Sequence, residues 1–223
     1  MSAAAALVLG GVVVTRDCGG GLPSSYRTQG APFASGSVEG VLVLSTAAQT
    51  RVASSVRVEP DGCDEPTAAP VSVVWIDGPT AGAAPRDSGN GIRLGDCGFE
   101  PAVAIAMKDT AISVRAPSGD HRLQAWLEGV RMYDATQSGS AEIQVSAAGV
   151  WQIRCASGHA GEEAWVIVTA NPYGVAATAD GRFEIRSVPE GSWTLFAWHP
   201  VLGTRKTSID VAAKAATRLE LEF

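Results

Sequence analysis

Charged residues are scarce in this chain. They make up 18% of 223 residues, with 17 Lys and Arg against 23 Asp and Glu and a formal net charge of −6. A nucleic-acid partner calls for a basic stripe, which this balance excludes. Histidine is rarer still: there are three, beside four cysteines and three methionines. Imidazole chemistry therefore rests on His121, His159 and His199 alone. The body of the chain has no apolar run long enough to cross a bilayer as a helix. Walker, Rossmann, zinc-finger and HExxH patterns are missing, and so is a nucleophile elbow, so the sequence reads as that of a non-enzyme. Leucine is thin beside valine and alanine, and no stretch keeps a helical period convincingly beyond two turns.

What the chain does have is many short runs of Val, Ile, Thr and Trp, punctuated by 25 glycines and 12 prolines. That pattern predicts an all-β protein, a sandwich or Greek-key barrel. Strands are expected at Val38–Leu44, Val52–Val58, Val71–Ile76, Ile92–Leu94, Ala102–Met107, Ala111–Arg115, Arg122–Gly129, Ala141–Val145, Val150–Arg154 and Ala164–Val168. The last fifty residues change character. Asp180-Gly181 reads as a hairpin turn, and the stretch from Phe183 to Trp198 alternates on both sides of Pro189-Glu190-Gly191, as a small antiparallel sheet with one wet face does. Val211–Leu219 is the best helical candidate and still reads as a hairpin end. Three parts follow: an export signal and linker over 1–37, a first β-domain over 38–169 and a second over 170–223.

The apolar run before Thr15 has the length of a signal-peptide core but no basic region ahead of it. An extracytoplasmic location is expected from it, in the periplasm, at the outer membrane or outside the cell. Cys18 follows that run and precedes a Gly/Ser tract, as a lipid-anchored cysteine does, whereas Asp17 stands where such processing wants a small residue. In an exported chain, cysteines pair. Cys63 and Cys97 flank the strand at Val71–Ile76 and are the expected disulfide; the competing pairing puts Cys155 in a bridge instead.

The stretch Cys155-Ala156-Ser157-Gly158-His159, with His121 upstream, supplies one thiolate and two imidazoles. That is the trigonal ligand set of a blue-copper electron-transfer site, in which a weak axial ligand completes the coordination. Zinc takes the same donors with a carboxylate. Against this stand plainer readings: Cys155 as a buried thiol, His121 as a loop residue and the Trp residues as core.

Two sets of motifs resemble known families. Asp180-Gly181-Arg182-Phe183, then Pro189-Glu190-Gly191-Ser192-Trp193, then Trp198-His199 resemble the carboxypeptidase regulatory-like (transthyretin-like) β-module. Cys97-Gly98-Phe99-Glu100-Pro101, His121 and Cys155 to His159, with Val73 to Gly78 and the Asn171-Pro172-Tyr173 junction, resemble exported bacterial plastocyanin-like (cupredoxin) proteins fused to such a module. The resemblance spans roughly 38–223. It implies a cupredoxin-like Greek-key sandwich followed by a small transthyretin-like β-sandwich, and a copper held by His121, Cys155 and His159. The family's Met after the second His is absent. Glu162 and Glu163 stand there, and Glu162 or Glu163 is the expected fourth ligand; a carboxylate from Glu162, a hard donor, lowers the potential. The bracing Asn before the first His is replaced by Ser118-Gly119-Asp120, and His199 matches the module's ordinary strand end. The implied function is that of a non-enzymatic copper-binding electron carrier or copper-handling protein with a redox or envelope partner. The alternative is a structural subunit of an extracytoplasmic assembly, in which the metal site is vestigial.

Overall fold

Alternating and continuous apolar runs alike become strands in the computed structural model, which describes residues 26–30, 33–55, 71–85, 91–95, 98–157 and 163–223. In chain order the first elements are β1 (Arg27–Thr28), β2 (Ser35–Val43), the helix α1 (Thr46–Ser54), β3 (Val73–Asp77), β4 (Ala81–Gly82), β5 (Gly91–Gly95), β6 (Gly98–Glu100) and β7 (Val103–Met107). There follow β8 (Thr110–Leu127), β9 (Val130–Val145), β10 (Gly149–Cys155), β11 (Glu163–Thr169) and β12 (Gly174–Ala176). The last four are β13 (Arg182–Pro189), β14 (Gly191–His199), β15 (Gly203–Val211) and β16 (Ala216–Glu222). The protein is all-β apart from one helix among the described residues, and its strands form β-sandwiches.

β8 is the spine of the first sandwich. Its early residues pair in parallel with β5 and its later residues run antiparallel to β10, while β9 follows it along both stretches. The exchange of neighbours falls at the irregularity between Arg115 and Asp120. Pro117 brings no ladder donor there, and Gly119 adopts φ +119°, so the strand turns from one layer into the other. One layer continues through β5 to β6, and the other through β10 to β11 and β7. Alternation sends Ile112, Val114, Leu123, Ala125, Trp151 and Ile153 into a single core between them.

The second sandwich packs the sheet β12-β3-β14-β15 on the sheet β13-β2-β16, around Val38, Leu42, Ile76, Phe183, Leu195 and Ile209. Its composition alters the expected division of the chain. β2 pairs antiparallel with β13 and parallel with β16, and β3 lies between β12 and β14. The strands expected over 38–44 and 71–76 in the first part therefore complete the second sandwich, and a boundary at 169/170 runs through paired strands.

Local expectations are corrected too. Asp180-Gly181 is a turn but not a hairpin, since β12 before it and β13 after it lie in different sheets. The connection at Glu190 also crosses from one sheet to the other, as does that at Ala212–Ala215, the expected hairpin end. The last fifty residues thus build two sheets, not one. The strand expected over Val52–Val58 is in part the end of α1, and the residues beyond Ser55 lie outside the described ones. The Ser45 hydroxyl caps α1 by accepting from the Ala48 amide at 3.3 Å. Only Ala48 of the helix is buried, so α1 carries no apolar stripe for periodicity to detect. The segment over 130–140, which carries no strand pattern in the sequence, is the first part of β9; it is polar because its outward positions are wet.

The two sandwiches meet at a small apolar seam of Val73, Val103, Ile167 and Trp198, with Trp165 and Trp198 tilted at 5.4 Å between ring centres. Asn171, in the link between β11 and β12, is tied to β3. Fully buried, it donates through Nδ2 to the Ile76 carbonyl at 2.9 Å and accepts through Oδ1 from the Tyr173 amide at 3.0 Å.

Candidate metal centre

Strand register brings His121 and Cys155 together. Cys155 is the partner of Leu123 across β8 and β10, and opposite residues of an antiparallel pair share a face. His121 lies two residues before Leu123, on that same inward face. The outcome is a diagonal pair, with Cys155 Sγ 3.7 Å from His121 Nδ1. Both are buried, at 7% and 4% exposure. His121 is thus not a surface loop residue.

The ends of the two strands are pinned beside the pair. The Ala156 amide donates to the Arg122 carbonyl at 2.7 Å, and the Arg122 amide donates to Ser157 Oγ at 2.6 Å. Ser157, the middle residue of the Cys-x3-His stretch, fixes where that stretch leaves β10. The hydrogen bond joins residues 35 apart in sequence, and no local pattern announces it.

On the outer face, Arg122 grips Asp134 through Nε and Nη2, both at 2.8 Å. Hydrogen bonding from Arg122 holds the Asp134 carboxyl below the usual carboxylate range; desolvation opposes this, and Gln124 and Arg131 add to it. β8 and β9 are thereby clamped just behind the imidazole. On the inner side, Gln137 is the register partner of His121 and donates to the Tyr133 hydroxyl at 3.1 Å. Neither Gln137 nor Tyr133 stood out in the sequence, because only the pairing of β9 with β8 places them there.

The separation suits a shared metal. A cation about 2.3 Å from a thiolate and about 2.0 Å from an imidazole nitrogen, at an angle between tetrahedral and trigonal, spaces those donors by about 3.6–3.8 Å. A thiol–imidazole hydrogen bond has the same spacing. His159 and Glu162 lie outside the described residues, and so do Cys18, Cys63 and Cys97. Among the described residues no group of three or more His, Cys, Asp or Glu side chains is placed to hold an ion. Glu163, the other carboxylate considered as a ligand, pairs in register with Arg154 on the outer face and accepts from Gln152 Nε2 at 2.5 Å. It therefore faces away from Cys155. His199 belongs to the second sandwich, where its Nδ1 accepts from the Val201 amide at 3.1 Å and its ring meets Phe223 edge-on.

The chain is therefore an all-β protein of packed sandwiches with a buried cysteine–histidine pair in the first. No family model and no curated protein matches it. Among solved structures it is similar to cupredoxins. One is a purple cupredoxin from Nitrosopumilus maritimus, at 18% identity over 35% of this chain and 98% of that one, with a TM-score of 0.31. Another is the oxidised plastocyanin of Dryopteris crassirhizoma, at 13% identity over 35% and 99%, also with a TM-score of 0.31. A third is a mutant amicyanin in its Cu(I) form, at 10% identity over 43% and 97%, with a TM-score of 0.32. Overlaps this partial carry no functional argument.

Proposed function

We propose that the protein is an exported, non-enzymatic copper-binding carrier that transfers electrons or hands on copper, with His121, Cys155 and His159 as ligands. The observation that carries this reading is the buried approach of Cys155 Sγ to His121 Nδ1 at 3.7 Å. A thiolate and an imidazole fixed on neighbouring strands are two of the three strong donors of a cysteine–histidine copper site. His159 is the third by sequence, and Glu162 the nearest carboxylate by sequence to complete the set. Copper bound by such donors supplies a one-electron couple. The chain's own contribution would be rigidity: the sheet, the Arg122–Asp134 clamp and the Ser157 hydrogen bond fix the register that sets Cys155 against His121.

The extracytoplasmic placement rests on the apolar stretch before Thr15, and the partner implied is a redox or envelope protein. The test is copper titration of the purified protein, followed by visible absorption. An intense thiolate-to-copper band at one equivalent, lost in Cys155→Ser, supports the proposal. With no band and no tightly held metal, the reading passes to the structural subunit.

A further inference from the structure

We propose that the free edge of β9 pairs with the same strand of a second copy of this chain, joining the two into a two-fold dimer. β9 is 16 residues long, where an ordinary strand has about five or six. It lies at the edge of its sheet and pairs with β8 alone; among the described residues no strand lies on its other side. A row of unpaired backbone donors and acceptors is a template for another strand. Folds guard such edges with lysine, proline or a bulge. β9 has no lysine and no proline, and the guard over its first half is the one-residue bulge at Met132.

Apolar surface gathers at the same place. Val130 and Met132, at 61% and 44% exposure, are the exposed large hydrophobic side chains among the described residues, and both belong to β9. The bulge also sets the charges. Arg131 stands opposite Trp126 and Asp134 opposite Gln124, so the extra residue puts both on the outer face, where they pair at 2.9 Å.

Charge then names the occupant and its register. When two copies of β9 run antiparallel about Tyr133, Arg131 of each faces Asp134 of the other, and the four side chains alternate in sign. Val130 of each faces Ala135 of the other, and Tyr133 meets its own counterpart. Moving the two-fold axis by one residue either way sets Arg131 against Arg131 or Asp134 against Asp134, and like charges directly opposite are destabilising. The strand is therefore complementary to itself in one register. Pairing over 130–135 stays clear of the irregularity between Arg115 and Asp120, where the hairpin changes layer. So short a stretch buries less than the about 1,600 Å² of a standard interface, so the dimer is weak. It uses neither Cys155 nor His121 and does not depend on a metal there.

The test is sedimentation of the full chain from about 1 μM to 1 mM, with hydrogen exchange at both ends of that range. A reversible monomer–dimer equilibrium is expected. Exchange should slow at high concentration in β9 and stay unchanged in β15, an edge strand of the second sandwich. The double variant Val130→Lys/Met132→Lys is expected to weaken the dimer about tenfold or more, and Arg131→Glu, which opposes like charges, to weaken it as well. All three positions are exposed, and circular dichroism checks that the variants keep the fold. Cys155→Ser is expected to dimerise as the parent does. The proposal is overturned by a chain that stays monomeric throughout the range, or by a dimer that both variants leave unchanged. It is equally overturned if the concentration-dependent protection falls on any strand other than β9.

Discussion

The sulfur of Cys155 and Nδ1 of His121 stand 3.7 Å apart, buried, although 34 residues separate them in the chain. Anything that binds the native pair and not the unfolded chain raises stability by mass action. Copper(II) or zinc held at a hundred times its dissociation constant is expected to add about 2.7 kcal/mol. For a chain of this length that is a rise in Tm of about 5–10 °C. Cys155→Ala and His121→Ala should each lose the rise. An equal rise in Cys155→Ala, measured by calorimetry, would place the metal elsewhere.

How much of this was legible in the sequence differs from feature to feature. Strands such as Ala164–Val168 and Val150–Arg154 were legible because a half-buried strand alternates and a fully buried one is continuously apolar. The facing of His121 and Cys155 follows from alternation once β8 and β10 are paired, but the pairing itself is non-local. β2 and β3 read correctly as strands, yet nothing within them says that their neighbours lie about a hundred residues or more downstream. The turn at Asp180-Gly181 was visible and its role was not, because a glycine with positive φ serves a corner between sheets as well as a hairpin. α1 escaped because a helix with a single buried residue has no stripe.

That pairing sets an expectation for truncation. A chain ending at Thr169 keeps β2 and β3 but loses every strand they pair with among the described residues, namely β12, β13, β14 and β16. Two apolar strands with unpaired edges then face water, a recognised route to aggregation. The chain truncated after Thr169 is expected to be insoluble, or to show these segments unprotected in hydrogen exchange. A soluble, fully protected fragment would mean that the first part folds without the second.

Gly82 is expected to tolerate no side chain. Its φ is +152°, and a Cβ there would meet the Tyr173 hydroxyl at 2.1 Å and the Pro189 ring at 3.0 Å. Tyr173 has no slack, since its hydroxyl accepts from the Ala83 amide at 2.8 Å and lies 3.2 Å from that of Tyr26. Gly82→Ala should cost about 2–4 kcal/mol, combining backbone strain with a lost buried hydrogen bond. Chemical denaturation reads it directly; a cost near zero would mean that the tyrosine pair moves aside freely.

The same pair gives a pH dependence at the alkaline end. Burial, and then the hydrogen bond with Tyr173, push the Tyr26 phenol above its ordinary 10.0. A raised folded-state value means that the protonated form is the one the fold holds. Its contribution is complete below the unfolded-chain value near 10 and is lost as pH climbs above it toward the folded value. Tm is therefore expected to fall above pH 10. Tyr26→Phe should start lower, because the hydrogen bond to the Ala83 carbonyl at 2.8 Å is gone, and then fall less steeply. Parallel curves for the two proteins would remove Tyr26 from the account.

Asn171 ties the link between the two sandwiches to β3, and its replacement separates a packing role from a polar one. The amide fits two orphan groups at once, the Ile76 carbonyl and the Tyr173 amide, and its own backbone carbonyl accepts from Thr169 Oγ1 at 2.7 Å. Asn171→Ala leaves both side-chain partners buried and unsatisfied, for an expected loss of about 2–4 kcal/mol. Asn171→Asp keeps the acceptor for Tyr173 but turns a donor into a second acceptor against the Ile76 carbonyl, so it should also destabilise, and more so once the carboxyl ionises. Restoring the donor alone is not enough if the seam depends on both bonds. Equal stabilities of the parent and Asn171→Ala would assign the seam to Val73, Ile167 and the Trp165–Trp198 contact instead, and Trp198→Ala would then be the substitution that lets the sandwiches unfold in two separate transitions.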